Sequence, residues 1–201
     1  MTRAVVFDLG GVLIDWDPVP ALAVAVGEEQ ARQLMAAEDF DFYAWNAHQD
    51  AGRSFSEGEA EVAATHPHWA EHVRGYFSHY AHSLVGEHPA TVEILREVVA
   101  AGWPTYALTN WSAETFHHAE RQFSFLAEFR AVLVSGELGL AKPDPSIYQA
   151  LLRRTGTRPE ETFFTDDSAR NVSAAREVGL DAVQYADAGQ LRRELVTRGV
   201  L

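Results

Sequence analysis

Five short apolar runs limit most strongly what this chain can fold into: Arg3–Asp8, Pro104–Thr109, Ala131–Ser135, Thr162–Asp166 and Asp181–Tyr185. They are rich in Val, Phe, Tyr and Thr and too short for buried helices, which suits strands covered on both faces. The segments between them carry helical patterns with readable ends. Ala90–Ala101 stops before Gly102. Asp144-Pro145 reads as the N-cap and first turn of a helix through Arg154, with Gly156 just past its end. Ser168 caps a helix through Val178 that closes at Gly179. Strands alternating with helices predict an α/β fold built on a doubly wound parallel sheet.

The stretch Asp17–Glu87 breaks the alternation. It offers no convincing strand, and helical periodicity runs through Glu28–Ala37, Phe42–His48 and Trp69–Ser83. Ser56-Glu57-Gly58-Glu59 has capping-box spacing for a further helix. The aromatics of Phe40-Asp41-Phe42-Tyr43-Ala44-Trp45 read first as core packing, with a share of them free to face a ligand. Seven of the nine histidines fall between His48 and His88, and they read as solvated helix-face residues.

Composition excludes several classes of function. A formal charge of −13 argues against a nucleic-acid or anionic-membrane footprint. No stretch approaches the ~18 apolar residues of a membrane span. Zero cysteines exclude disulfides and thiolate chemistry. With no secretory leader pattern before the first strand, the reading is a cytoplasmic protein, monomer or homodimer.

Open α/β sheets bind ligands beyond the carboxyl ends of their strands. Asp8 ends the first run and opens the glycine-rich loop Asp8-Leu9-Gly10-Gly11, a placement suited to a nucleophile or a metal ligand. Thr109-Asn110 ends the second run, Lys142-Pro143 follows the third, and Asp166-Asp167-Ser168 closes the fourth, with Asn171 one helical turn on. The predicted topology gathers all of them on one rim.

In this order and spacing, from Asp8 to Asn171, the four segments resemble the motifs of the haloacid dehalogenase-like hydrolases. The resemblance implies a Rossmann-like core formed by residues 1–16 and 88–201, with an all-helical cap at 17–87. It also implies a Mg²⁺-dependent phosphatase acting on a small phosphorylated metabolite. Asp8 would be the nucleophile, assisted by Thr109 and Lys142. Phosphate oxygens would be held by the Thr109 hydroxyl, the Lys142 ammonium and the backbone amides of Leu9, Gly10 and Asn110. Asp8, the Gly10 carbonyl and Asp167 would ligate the metal, with Asp166 on a metal-bound water or as an alternative ligand and Asn171 supporting the acidic loop.

Gly10 departs from the pattern, because most phosphatases of this family carry a second Asp there that moves the proton of the reaction. General acid–base help is worth ~10²–10⁴-fold in rate. The enzyme would then be slow or suited to good leaving groups, or borrow a carboxylate from Asp15, Asp17 or Asp50, or bind without turnover. The segment Leu108-Thr109-Asn110-Trp111-Ser112 also resembles the 2-haloacid dehalogenase branch, which needs no metal. Gly10 replaces that branch's aromatic residue, and Asp166-Asp167 would set needless negative charge beside a departing halide.

Overall fold

Each apolar run becomes a strand, with ends within one residue of those expected. The computed structural model describes residues 2–201. β1 (Ala4–Phe7) is followed by the short β2 (Ile14–Trp16) and then by five helices: α1 (Pro18–Val26), α2 (Glu28–Met35), α3 (Phe42–Asp50), α4 (Phe55–Thr65) and α5 (Ala70–Ser78). Next come β3 (Leu84–Glu87), α6 (Pro89–Ala100), β4 (Thr105–Thr109), α7 (Phe116–Gln122) and β5 (Ala131–Val134). The chain ends through α8 (Ser135–Leu138), α9 (Pro145–Thr155), β6 (Thr162–Asp166), α10 (Ala169–Glu177), β7 (Asp181–Gln184) and α11 (Ala188–Thr197).

The main sheet is parallel, in the order β5–β4–β1–β6–β7. Successive side chains of a strand point to opposite faces, so β1 feeds two cores. Val5 and Phe7 join Leu95 and Val98 of α6 and Leu191 and Leu195 of α11. Ala4 and Val6 join Ile147, Tyr148 and Leu151 of α9 and Val172 and Ala175 of α10. Both faces are therefore covered, which is why the strands are apolar throughout. After β1 the chain builds outward through β4 and β5, then crosses to the other side for β6 and β7. The switch point lies at the carboxyl end of β1, where Asp8 sits. No helix among the described residues is long and apolar enough to cross a membrane.

The helical stretch departs from expectation in several places. Helix α1 is unexpected, and the run Trp69–Ser83 breaks after Ser78, with a 3₁₀ turn at Tyr80–Ser83. Leu84–Glu87 is a strand, paired antiparallel with β2 through Ile14↔Glu87 and Asp15↔Gly86. It is short, contains a glycine and exposes Val85, and its partner lies far away in sequence, so no local pattern marks it. The capping box begins at Ser54 instead of Ser56: Ser54 Oγ accepts from Glu57 N at 3.2 Å, and Glu57 Oε2 accepts from Ser54 N at 3.1 Å. The same Ser-x-x-Glu spacing occurs two residues earlier, and burial of Phe55 and Val62 selects that register. His72 is buried against Trp69, ring centroids 4.9 Å apart, and burial lowers its pKa. The other six histidines of that group are exposed or half-buried.

The aromatic run packs inward as core. Phe42 and Trp45 lie against Tyr76 and Phe55, with Phe42 and Tyr76 edge to face at 5.0 Å. Only Tyr43 stays out, 58% exposed and edge-on to Trp16.

Candidate active site

Parallel pairing delivers the predicted residues to one rim. Phe7 is in register with Ala107 of β4 and Thr165 of β6, so Asp8, Thr109 and Asp166 emerge side by side. Asp8 N donates to Thr165 O at 2.9 Å, and Leu9 N donates to Asp8 Oδ1 at 2.7 Å. Lys142 arrives from beyond β5 and is held by Asn110 twice. Asn110 Nδ2 donates to Lys142 O at 2.9 Å, and Lys142 N donates to Asn110 Oδ1 at 2.8 Å. The ammonium is buried, 2.9 Å from Asp8 Oδ1 and 2.6 Å from Asp166 Oδ2, and also donates to Leu108 O at 3.0 Å.

Asp166 is fully buried and saturated. Besides Lys142 it accepts from Ser168 N at 2.9 Å, and Asn171 Nδ2 lies 3.0 and 3.2 Å from its two oxygens. Asp167, exposed on the same turn, faces the cleft with Asp8, Gly10, Thr109, Asn110, Lys142 and Asn171. The Leu9 side chain turns into the core, while its amide sits at the rim on Asp8 Oδ1. Thus the predicted residues converge, with Asp166 underneath the rim.

The charges do not balance. Three carboxylates, from Asp8, Asp166 and Asp167, place oxygens within 4.8 Å of one another around a single ammonium. Burial and then Asp166 push the Asp8 carboxyl well above its ordinary range, against the pull of Lys142. Asp167 is raised by the same two causes. Burial works against the Lys142 charge, but Asp8 and Asp166 outweigh it and raise its pKa. A set of hard oxygen donors short of positive charge fits a divalent cation such as Mg²⁺.

The cleft encloses about 310 Å³, room for a phosphate and a small organic group. Its far side comes from β2, the helical stretch and the loop after β4: Asp15, Trp16, Asn46, Asp50, Tyr80 and Trp111. Asp15 and Asp50 were candidates on sequence; Trp16, Asn46, Tyr80 and Trp111 carried no sequence signal separating them from core residues. Asp17 is committed elsewhere, its Oδ1 accepting from Val19 N at 2.9 Å as the N-cap of α1. Gly11 has φ +70°, and a Cβ there would collide with the Asp167 carboxylate. At Gly10 a Cβ would meet nothing within 4 Å.

Asp50 ends α3, and burial raises its carboxyl to about 7. A folded-state pKa raised above that of the unfolded chain makes stability fall as pH rises from about 4 to about 7 and then level off. Asp50→Asn is therefore expected to leave the thermal midpoint unchanged near pH 4 and raise it near pH 8, where the unfolding free energy gains up to ~4 kcal/mol. Equal midpoints for the two proteins across the range would contradict this.

A doubly wound α/β fold whose switch point presents an aspartate beside a buried lysine and an acidic pair defines a class of hydrolases. The family model described as haloacid dehalogenase-like hydrolase matches residues 2–179, and the chain belongs to that family. A sesquiterpene phosphatase of Aspergillus oryzae, astK, is 26% identical, the match covering 92% of this chain and 90% of that protein. The (S)-2-haloacid dehalogenase 4A of Burkholderia cepacia is also 26% identical, over 90% of this chain and 82% of its own length. Two further relatives are longer proteins, of which the match spans 18% and 36%. Among solved structures, a family enzyme of Bacteroides thetaiotaomicron in complex with magnesium and inorganic phosphate superposes with a TM-score of 0.72. It is 22% identical, over 94% of this chain and 96% of its own.

Proposed function

We propose that this hydrolase is a Mg²⁺-dependent phosphatase of small phosphorylated metabolites, working through a phosphoryl group carried on Asp8. The observation that carries the reading is the packing of Asp8, Asp166 and Asp167 oxygens within 4.8 Å of one another, with Lys142 bonded to only Asp8 and Asp166 of the three. Halide chemistry on Asp8 would gain nothing from an acidic pair beside the leaving anion, whereas a metal-assisted phosphoryl transfer requires one.

Asp8, Asp167 and the Gly10 carbonyl would hold the metal, with Asp166 behind them. Bound there, Mg²⁺ would offset the repulsion between the Asp8 carboxylate and the incoming phosphate. Lys142 orients Asp8 and pulls it towards its ionised form, and its ammonium would face the phosphate oxygens as well. The Thr109 hydroxyl and the amides of Gly10 and Asn110 supply further donors where charge develops. Asn171 and the Ser168 amide keep Asp166 from turning into the cleft. The helical stretch 17–87 acts as a cap whose closure limits the size of the substrate and excludes water during the transfer.

Phosphate release from p-nitrophenyl phosphate tests this directly. Release is expected with Mg²⁺ and should disappear in EDTA, while 2-chloropropionate yields no chloride. Chloride release that persists in EDTA would replace the phosphatase reading with dehalogenation.

A further inference from the structure

Phosphoryl transfer through Asp8 moves a proton twice, and Gly10 has no group to move it. We infer that Asp50 is the general acid–base of this enzyme, delivered from the last turn of α3 in place of a carboxylate at position 10. The inference rests on the phosphatase reading above. Four carboxylates line the cleft: Asp8, Asp15, Asp50 and Asp167. Asp8 and Asp167 belong to the lysine and metal cluster, and Asp15 is solvent-exposed on β2. Asp50 is half-buried and, among the described residues, has no cationic partner within salt-bridge distance.

Its position is fixed to the catalytic rim. Asn46 Nδ2 donates to Asp50 Oδ2 at 3.1 Å. Ser135 Oγ donates to Asp50 O and accepts from Trp111 N at 2.8 Å, tying the end of α3 to the loop that follows Thr109. This approach needs a glycine at position 136, where a Cβ would stand 2.5 Å from Ala113 N and 2.8 Å from Trp111 O. In this arrangement Asp50 is tethered to the same loop as Asn110, which sets a proton donor on the cap against the cleft that holds the nucleophile.

The surroundings suit proton exchange near neutrality. Burial raises the Asp50 carboxyl to about 7, against the pull of a backbone hydrogen bond from Ser112, and its place at the end of a helix also disfavours the carboxylate. The phenols of Tyr76 and Tyr80 face it, both held neutral chiefly by burial. Asn46 is neutral, Asp8, Asp15 and Asp167 share the cleft, and Lys142 is already committed to Asp8 and Asp166.

In the first step an Asp8 oxygen forms a bond to phosphorus as the bond to the leaving oxygen breaks, and Asp50 gives its proton to that oxygen. In the second, water attacks the aspartyl phosphate and Asp50 takes a proton from it. Inorganic phosphate leaves, Asp8 is again a carboxylate and Asp50 is again protonated.

Kinetics of Asp50→Asn with Mg²⁺ on p-nitrophenyl and phenyl phosphate test the assignment, with Asp8→Asn alongside. Phenoxide leaves poorly without a proton, so kcat/KM on phenyl phosphate should fall ~10²–10⁴-fold. Loss on p-nitrophenyl phosphate should be much smaller. With that substrate the variant should show a burst of nitrophenol followed by slow turnover, because the aspartyl phosphate now lacks its base. Wild-type kcat/KM on phenyl phosphate should decline above about pH 7, a limb missing from the variant. Gly10 has an ordinary φ and open space, so Gly10→Asp in the Asp50→Asn background should restore activity on phenyl phosphate. Equal losses on both substrates with no burst would reduce Asp50 to a structural part and overturn the inference, leaving the phosphatase reading intact. Turnover that survives Asp8→Asn would overturn both.

Discussion

Asp8→Asn is expected to abolish turnover of aryl phosphates, a fall of roughly 10⁴-fold or more in kcat, while the protein stays folded. The amide nitrogen and oxygen of asparagine are poor nucleophiles, so the bond from residue 8 to phosphorus cannot form. The local structure survives because the two side chains are nearly isosteric. Leu9 N can donate to the new amide oxygen as it does to Asp8 Oδ1 at 2.7 Å, and Lys142 keeps Asp166 as a partner at 2.6 Å. Stability should hold or rise, since removing one negative charge relieves the repulsion from Asp166 that helps to raise the Asp8 carboxyl. Thermal melts and phosphate release on the same preparations separate the two effects. Retained activity in a folded Asp8→Asn protein would remove Asp8 from the reaction.

The rim was legible in the sequence because it depends on strand ends, and strand ends follow from runs of apolar residues. Once Arg3–Asp8, Pro104–Thr109 and Thr162–Asp166 are read as neighbouring parallel strands, Asp8, Thr109 and Asp166 must meet. Asn110 shows the limit of that reading. Its backbone amide was expected to hold phosphate, but its side chain spans the backbone of Lys142 through two hydrogen bonds, a pairing across 32 residues. Helix α1 could have been read, since Asp17-Pro18 is the same N-cap and N1 pair as Asp144-Pro145.

The far wall of the cleft was not legible, for a physical reason. Trp16, Tyr80 and Trp111 reach it from a strand end, a 3₁₀ turn and a loop, and an aromatic residue in such places looks like any core residue. The conspicuous run from Phe40 to Trp45 instead fills the centre of the helical stretch. Helix periodicity says that one face is buried, and says nothing of what lies against it. Asp50 was named on sequence only as one carboxylate of three. What separates it from Asp15 and Asp17 is tertiary: Asp17 is used up as a cap, Asp15 is exposed, and Asp50 is pinned to Ser135.

Lys142→Met should show the largest loss of stability of any single change at the rim. Lys142 is the ammonium that bonds both Asp8 and Asp166, and its side chain is 1% exposed. Its net value against an apolar replacement of the whole cluster is modest, because burying the charges was costly. Removing it alone is different, since two buried carboxylates lose their shared partner and the Leu108 carbonyl loses a donor at 3.0 Å. Breaking a buried pair in this way costs about 3–5 kcal/mol, roughly 10 °C in the melting midpoint of a chain this size. The pH dependence identifies the cause. The Lys142 pKa is raised by folding, so its contribution is fully present below the ordinary value of 10.5 and covers the neutral range. In the variant, Asp8 faces Asp166 with no ammonium between them, and the Asp8 carboxyl, already raised, is pushed further up. The deficit relative to wild type should then be small near pH 4, where a proton on Asp8 relieves the repulsion, and grow steadily towards pH 8. Methionine matches the length of the lysine stem, so a cavity contributes little to the loss. A deficit of the same size at both pH values would point to packing and not to charge, and no deficit at pH 8 would mean that Lys142 does not neutralise the rim.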